Sequence, residues 1–202
     1  MNFKARFIPS GAVLLTLTLA LCSSPPEQQI PDGAPVRASD SAGAAKIVKQ
    51  TIAMAQQGNT EGAMKNVGVE QMSRYLLGAE YDNVTPEQQS RFQKLIYEFV
   101  SLRGLPQAIE RLGDRDPETI EFAAARQDGN RILLPSKLPG TTLSITWILE
   151  KVGRRFVITD FLDPRGNSSM QRTRDKQIQP LYRRKGMEGL LTTLDKAMAR
   201  LR

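Results

Sequence analysis

The sequence predicts an α+β domain: helices first, then a curved four-stranded antiparallel sheet, then helices again. Three observations predict it. Apolar residues recur at helical spacing along the first half of the chain. The period then changes to two over four runs separated by turn residues. A helical stripe returns at the end.

The first helical pattern begins at Ala44, where Ile47, Val48, Ile52 and Ala55 share one face until "QQGN" stops it. A second helix is expected over residues 69–79, with Val69, Met72 and Leu76 in register. The third is the clearest. "TPEQQSRFQKLIYEFVSLRG" offers Thr85 as N-cap, Pro86 at the first helical position and Gln88 to close a capping box. Phe92, Leu95, Ile96 and Phe99 form its apolar stripe, and Gly104 with Pro106 should end it. A short helical turn is expected over residues 107–112.

The strands follow. "TIEFAAAR" leads into "QDGN", a strong hairpin turn. "RILLPSK" and "LPGT" come next. "TLSITWILEKV" alternates, with Leu143, Ile145, Trp147 and Leu149 on one face, and "GRR" turns it into "FVITDFLD". Three turns between four alternating runs imply a meander whose apolar face the helices cover. Beyond it, Ser168 and Gln171 fit a capping box for a basic helical segment. Gly186 breaks that segment before "MEGLLTTLDKAMARL", whose Leu190, Leu191, Leu194 and Met198 make a stripe.

The first 43 residues differ from the rest. Lys4 and Arg6 precede the apolar run "AVLLTLTLAL" over residues 12–21, too short for the ~20 residues that span a bilayer. The pattern is that of a secretory signal peptide, residues 1–22, with Ala20 and Cys22 at the small-residue positions and cleavage before Ser23. Lipidation of Cys22 would call for a small residue where Leu21 stands. Residues 23–43, rich in Pro, Ser, Gln and Asp, read as a flexible leader, and residues 44–202 as one domain.

The 202-residue chain has a net charge of +7, and it stays basic after Lys4 and Arg6 leave with the signal. Export argues against nucleic acid as partner and points to anionic lipid or acidic protein faces. There is no histidine, and cleavage before Ser23 would leave no cysteine, so the usual general base and the usual zinc ligands are missing. Neither an enzyme nor a cofactor is expected. Asp160 and Asp163 read as a solvated strand end and the start of an Asp-Pro-Arg-Gly turn. The rival is an enzyme with Asp160 or a pocket tyrosine as acid or base, which calls for a carboxylate facing inward with a raised pKa.

Two groups of residues remain open at this level. Trp147, Phe156, Ile158 and Phe161 either line a ligand cavity or fill a core, and Tyr75, Tyr81, Tyr97 and Tyr182 share the ambiguity. Arg172, Arg174, Lys176, Arg183, Arg184 and Lys185, set against Asp175, make either a solvated helix face or a docking surface. Attraction to anionic lipid is worth about 1 kcal/mol per cation near the surface.

Four motifs in order carry a resemblance. They are Leu77-Gly78, "TPEQ" at residues 85–88, the aromatic strand at residues 155–160 and "KGMEGLL" at residues 185–191. With the intervening "RYLLGAEYDNVTPEQQSRFQKLIYEFV", residues 69–194 resemble the MlaC-like family of periplasmic lipid-shuttle proteins, auxiliary components of ABC transporters. The resemblance implies a cystatin- or NTF2-like sheet wrapped by helices around a deep apolar pocket for phospholipid tails. It implies transient membrane contact and two partners, an outer-membrane lipoprotein complex and an inner-membrane ABC transporter complex. A rigid polycyclic lipid such as a hopanoid is the variant cargo, and a ligand-free docking module the rival function. Asp163-Pro164-Arg165-Gly166 departs from the family's usual Glu-Gly turn, Gly104-Leu105-Pro106 stands where an aromatic is usual, and the helical part before Val69 reads as short. The pocket-wall residues this reading names are Met72, Leu76, Phe92, Leu95, Ile96, Phe99, Ile145, Trp147, Leu149, Phe156, Ile158 and Phe161. The basic segment is the docking surface.

Overall fold

The computed structural model describes residues 34–202 apart from 139 and 143. The signal peptide, Cys22 and the start of the leader therefore lie outside the described residues, as does Leu143. In chain order the elements are β1 (Ala34–Pro35), α1 (Ala38–Gln56), α2 (Thr60–Met64), α3 (Val69–Leu77), α4 (Pro86–Phe99), α5 (Leu105–Leu112), β2 (Glu121–Phe122), β3 (Arg126–Asp128), β4 (Arg131–Lys137), β5 (Ser144–Val152), β6 (Arg155–Leu162), α6 (Ser169–Thr173) and α7 (Gln179–Ala199). The α+β class holds.

The sheet has six strands where four were expected, in the order β1-β3-β4-β5-β6, with β2 also on β4. All pairs are antiparallel. The first expected strand is split in two, and the cause is Pro135. It sits inside β4 with no N–H to give, and its carbonyl accepts from Ala123 N at 2.9 Å. Phe122 faces Ser136 and Arg126 faces Leu133, so the edge carries one residue more than β4 across this stretch. The sixth strand, β1, comes from the segment read as leader.

That segment is also helical earlier than its pattern showed. Helix α1 starts at Ala38, not Ala44, because Ser39, Asp40 and Ser41 form a polar first turn with no apolar periodicity. Asp40 is favoured at that helix end and pairs with Arg37 at 3.1 Å and Lys151 at 3.2 Å. With α2, five residues long, the helical part before Val69 is larger than expected.

Helix α4 has the capping box its sequence announces. Thr85 Oγ1 accepts from Gln88 N at 3.3 Å, and Gln88 Oε1 accepts from Thr85 N at 3.1 Å. Its end differs from expectation. Gly104 keeps helical angles (φ −62°, ψ −52°) and Pro106 opens α5, so the chain passes from α4 to α5 through a π-helical turn, Val100–Gly104. A second π-helical turn, Arg174–Ile178, joins α6 to α7. Gly186 breaks the last helix as expected: its φ of 64° is left-handed, open to glycine and costly for other residues.

The core has two parts. Ala44, Val48 and Ile52 of α1 pack on one face of the sheet, against Leu134, Trp147, Leu149, Phe156 and Ile158. The second part joins α3, α4 and α7 through Met72, Leu76, Phe92, Leu95, Ile96, Leu190 and Leu191. The outer edge of β6 is closed by the chain entering α3: Gly68 N–H donates to the Ile158 carbonyl at 2.9 Å, and Ile158 N–H to the Asn66 carbonyl at 2.8 Å. A Cβ at Gly68 would lie 2.8 Å from Val157 Cγ2 and 3.0 Å from Thr159 Cγ2. Gly68→Ala is expected to destabilise the fold by about 1–3 kcal/mol in urea denaturation. An unchanged midpoint would mean that this edge gives way freely.

Candidate functional site

Two apolar clefts open side by side. The first, about 330 Å³, lies among α4, the second π turn and the end of α7, with Leu95, Ile96, Phe99, Ile178, Leu194 and Met198 on its walls. The second, about 380 Å³, lies between the two halves of the core, where Phe99, Leu112, Ile145, Trp147, Phe161 and Met170 meet. Both volumes fall near the low end of the roughly 300–1,000 Å³ range of small-molecule sites. Four residues line both: Phe99, Arg103, Thr173 and Gln177.

The single deep pocket expected between sheet and helices is thus two smaller clefts sharing a wall. Of the named wall residues, Leu95, Ile96 and Phe99 border the first, and Phe99, Ile145, Trp147 and Phe161 the second. Met72, Leu76 and Phe92 are interior to the helical core, and Leu149, Phe156 and Ile158 to the sheet core. None of these six borders either of the two clefts. Apolar periodicity marks only apolar walls, so it passes over Arg103, Gln107, Thr173 and Gln177, and over Ala108 and Ala197, too small to mark a stripe.

The tyrosines stand apart from both clefts. Tyr81 is buried with Arg74 stacked 4.5 Å over its ring, Tyr182 donates to Glu80 at 3.2 Å, and Tyr97 is exposed. The basic residues do not share one helical period, because the π turn Arg174–Ile178 interrupts it between Arg172 and Arg183. Arg172 borders the second cleft near Asp163. Arg174 stacks 4.6 Å from the Tyr75 ring centre and bonds Asp175 at 2.9 Å. Lys176, Arg183, Arg184 and Lys185 are exposed.

Asp160 corrects the reading of a solvated strand end, since it is 8% exposed. Its carboxylate sits under the start of α6, accepting from Met170 N at 3.1 Å and from the Ser168 hydroxyl. Ser168 in turn caps α6 by accepting from Gln171 N at 2.8 Å. Burial pushes the Asp160 pKa up, against the bonds from Ser168, Phe161 and Met170 that pull it down. A buried, raised carboxylate is what the enzymatic alternative called for, yet Asp160 borders neither cleft and both its oxygens are committed to the helix start. Asp163 also feels some desolvation, but N–H donors of Asn167 and Arg165 outweigh it and hold its pKa low.

The raised Asp160 pKa has a signed consequence. The folded state holds this proton more tightly than the unfolded chain. Its contribution is therefore complete below 3.8 and lost as pH rises through the raised folded value. Asp40 and Asp163, whose pKa values are lowered, act in the opposite sense. Asp160→Asn is expected to remove only the first component. Relative to the variant, the wild type should gain stability on acidification from neutral pH toward 3.8 in urea titrations. Parallel pH profiles would show that Asp160 titrates alike in both states.

Among the described residues no helix is long and apolar enough to cross a membrane, and no cluster of acidic or cysteine side chains is arranged to hold a metal. No curated protein matches the sequence. Among solved structures the fold is similar to that of a phospholipid-binding protein from Ralstonia solanacearum, itself solved in complex with a phospholipid. The TM-score is 0.63 at 14% identity, covering 80% of this chain and 97% of that one. The family model described as MlaC protein matches residues 44–196, most of the described domain, and the chain therefore belongs to the MlaC family.

Proposed function

We propose that the protein is an exported carrier that binds a phospholipid and moves it between an outer-membrane lipoprotein complex and an inner-membrane ABC transporter complex. The observation that carries this is the pair of apolar clefts with a common wall, fitted to a ligand with two tails. Membership of the MlaC family and the phospholipid in the Ralstonia solanacearum protein support the choice of ligand. The signal-like residues 1–22 support export.

Physics favours an enclosed path for each tail. Hiding a chain of ~15 methylenes is worth roughly 12 kcal/mol at ~0.8 kcal/mol per methylene. No covalent chemistry is needed. The exposed Arg183, Arg184 and Lys185 give the carrier a cationic face for transient docking on acidic partner surfaces or anionic lipid.

Native mass spectrometry of the mature protein from its own cell envelope, followed by lipid extraction, tests the reading. A stoichiometric phospholipid is expected. A polycyclic lipid would keep the carrier and change the cargo. A clean, unliganded mass with no uptake from vesicles would replace the carrier with a docking module.

A further inference from the structure

We infer that Arg103 is the phosphate-recognising residue of the lipid site. This rests on the carrier reading and goes beyond it by assigning the headgroup end. Among the described residues Arg103 is the one cation that lines both clefts. Arg200 borders only the first and Arg172 only the second. A glycerophospholipid carries its phosphate close to where its two tails diverge. A cation at the junction of two apolar arms reproduces that arrangement.

The local structure explains why Arg103 stands there. Phe99 closes α4 and Arg103 lies in the π turn that follows it. Thr173 closes α6 and Gln177 lies in the other π turn. Each pair is four residues apart, and in the wide π turn that spacing keeps both members on the shared wall. The apolar member, Phe99, separates the arms, and Arg103 brings charge to the point where they meet.

Arg103 is also available. Arg37, Arg74, Arg91, Arg131, Arg174 and Arg202 each pair with a carboxylate. Arg103 has no such partner among the described residues and is exposed. Arg172, by contrast, lies in the field of Asp163. A guanidinium presents a planar fork of donors that fits phosphate oxygens two at a time, and an unpaired one loses no existing ion pair on binding.

The test offers mature protein a choice between two lipids with identical tails. Vesicles contain equal amounts of dioleoylphosphatidylglycerol and dioleoylglycerol, which lacks the phosphate, and native mass spectrometry counts each bound species. Wild type should prefer the phospholipid. Arg103→Gln should lower that preference about tenfold or more, the scale of a lost charge-assisted hydrogen-bond pair. Arg103→Lys should restore part of it, and Arg154→Gln, in the exposed turn between β5 and β6 and bordering neither cleft, should leave it unchanged. An unaltered preference in Arg103→Gln overturns the assignment while leaving the carrier intact. An equal fall in Arg154→Gln also overturns it, because the effect would then be general surface charge. Displacement of bound lipid by millimolar inorganic phosphate would assign Arg103 to a free-anion site instead. Wild type that loads neither lipid refutes the carrier reading itself.

Discussion

Trp147→Ala is expected to lower the unfolding free energy of the lipid-free protein by about 3–5 kcal/mol. The indole is 7% exposed and sits between Leu134 of β4 and Phe161 of β6, its cross-strand neighbours. Its Nε1–H donates to Ser136 Oγ at 3.0 Å, and Ser136 donates onward to the Ile145 carbonyl at 3.0 Å. Alanine removes the ring, leaves a cavity beside the second cleft and strips the buried Ser136 of a partner. Trp147→Phe keeps most of the bulk and should cost less, about 1 kcal/mol for the lost hydrogen bond plus imperfect packing. Trp147 is the sole tryptophan, so far-ultraviolet circular dichroism in urea is the proper probe for both variants. A loss below about 1 kcal/mol for alanine would place the indole on the cleft surface rather than in the core.

Much of the fold was legible because local rules decide it. The Thr85–Gln88 box, the Gly186 break and the alternation through β4, β5 and β6 rest on contacts within a few residues. What was illegible depends on partners far along the chain. Helix α2 is too short to show a period. Pro135 looks like an ordinary strand residue until its missing N–H faces Ala123. Gly104 and Pro106 read as a stop, yet Gly104 keeps helical angles and the π turn before Pro106 carries the chain on into α5. The site was half legible for the same reason. Leu95 and Leu149 are both leucines, 3% and 0% exposed, and only the first borders a cleft. Periodicity reports that a residue faces inward. It does not report whether the space opposite is filled, and the answer for Leu149 comes from α1, about a hundred residues upstream. Apolar periodicity carries no signal for Arg103, although it lines both clefts.

Ala108→Trp is expected to abolish most lipid loading while leaving the fold in place. Ala108, on α5, is half-buried and borders the second cleft across from Ile145, Trp147 and Phe161. An indole there has the cleft to enter, so strain should stay at or below the 1–3 kcal/mol typical of overpacked cores. A tail denied this cleft must find another apolar surface or stay in water. Its ~15 methylenes at ~0.8 kcal/mol each exceed by far the 1.4 kcal/mol that makes a tenfold change in affinity. Loading from phospholipid vesicles should therefore fall by well over tenfold. Ala197→Trp makes the matching change at the first cleft, which Ala197 borders. If each cleft takes one tail, either variant alone should suffice, and the double variant should be no worse than the weaker single. If only Ala108→Trp impairs loading, the second cleft holds the lipid and the first is a surface groove. Normal loading in both folded variants would mean that the tails lie elsewhere, and the assignment of the shared wall would fall with them.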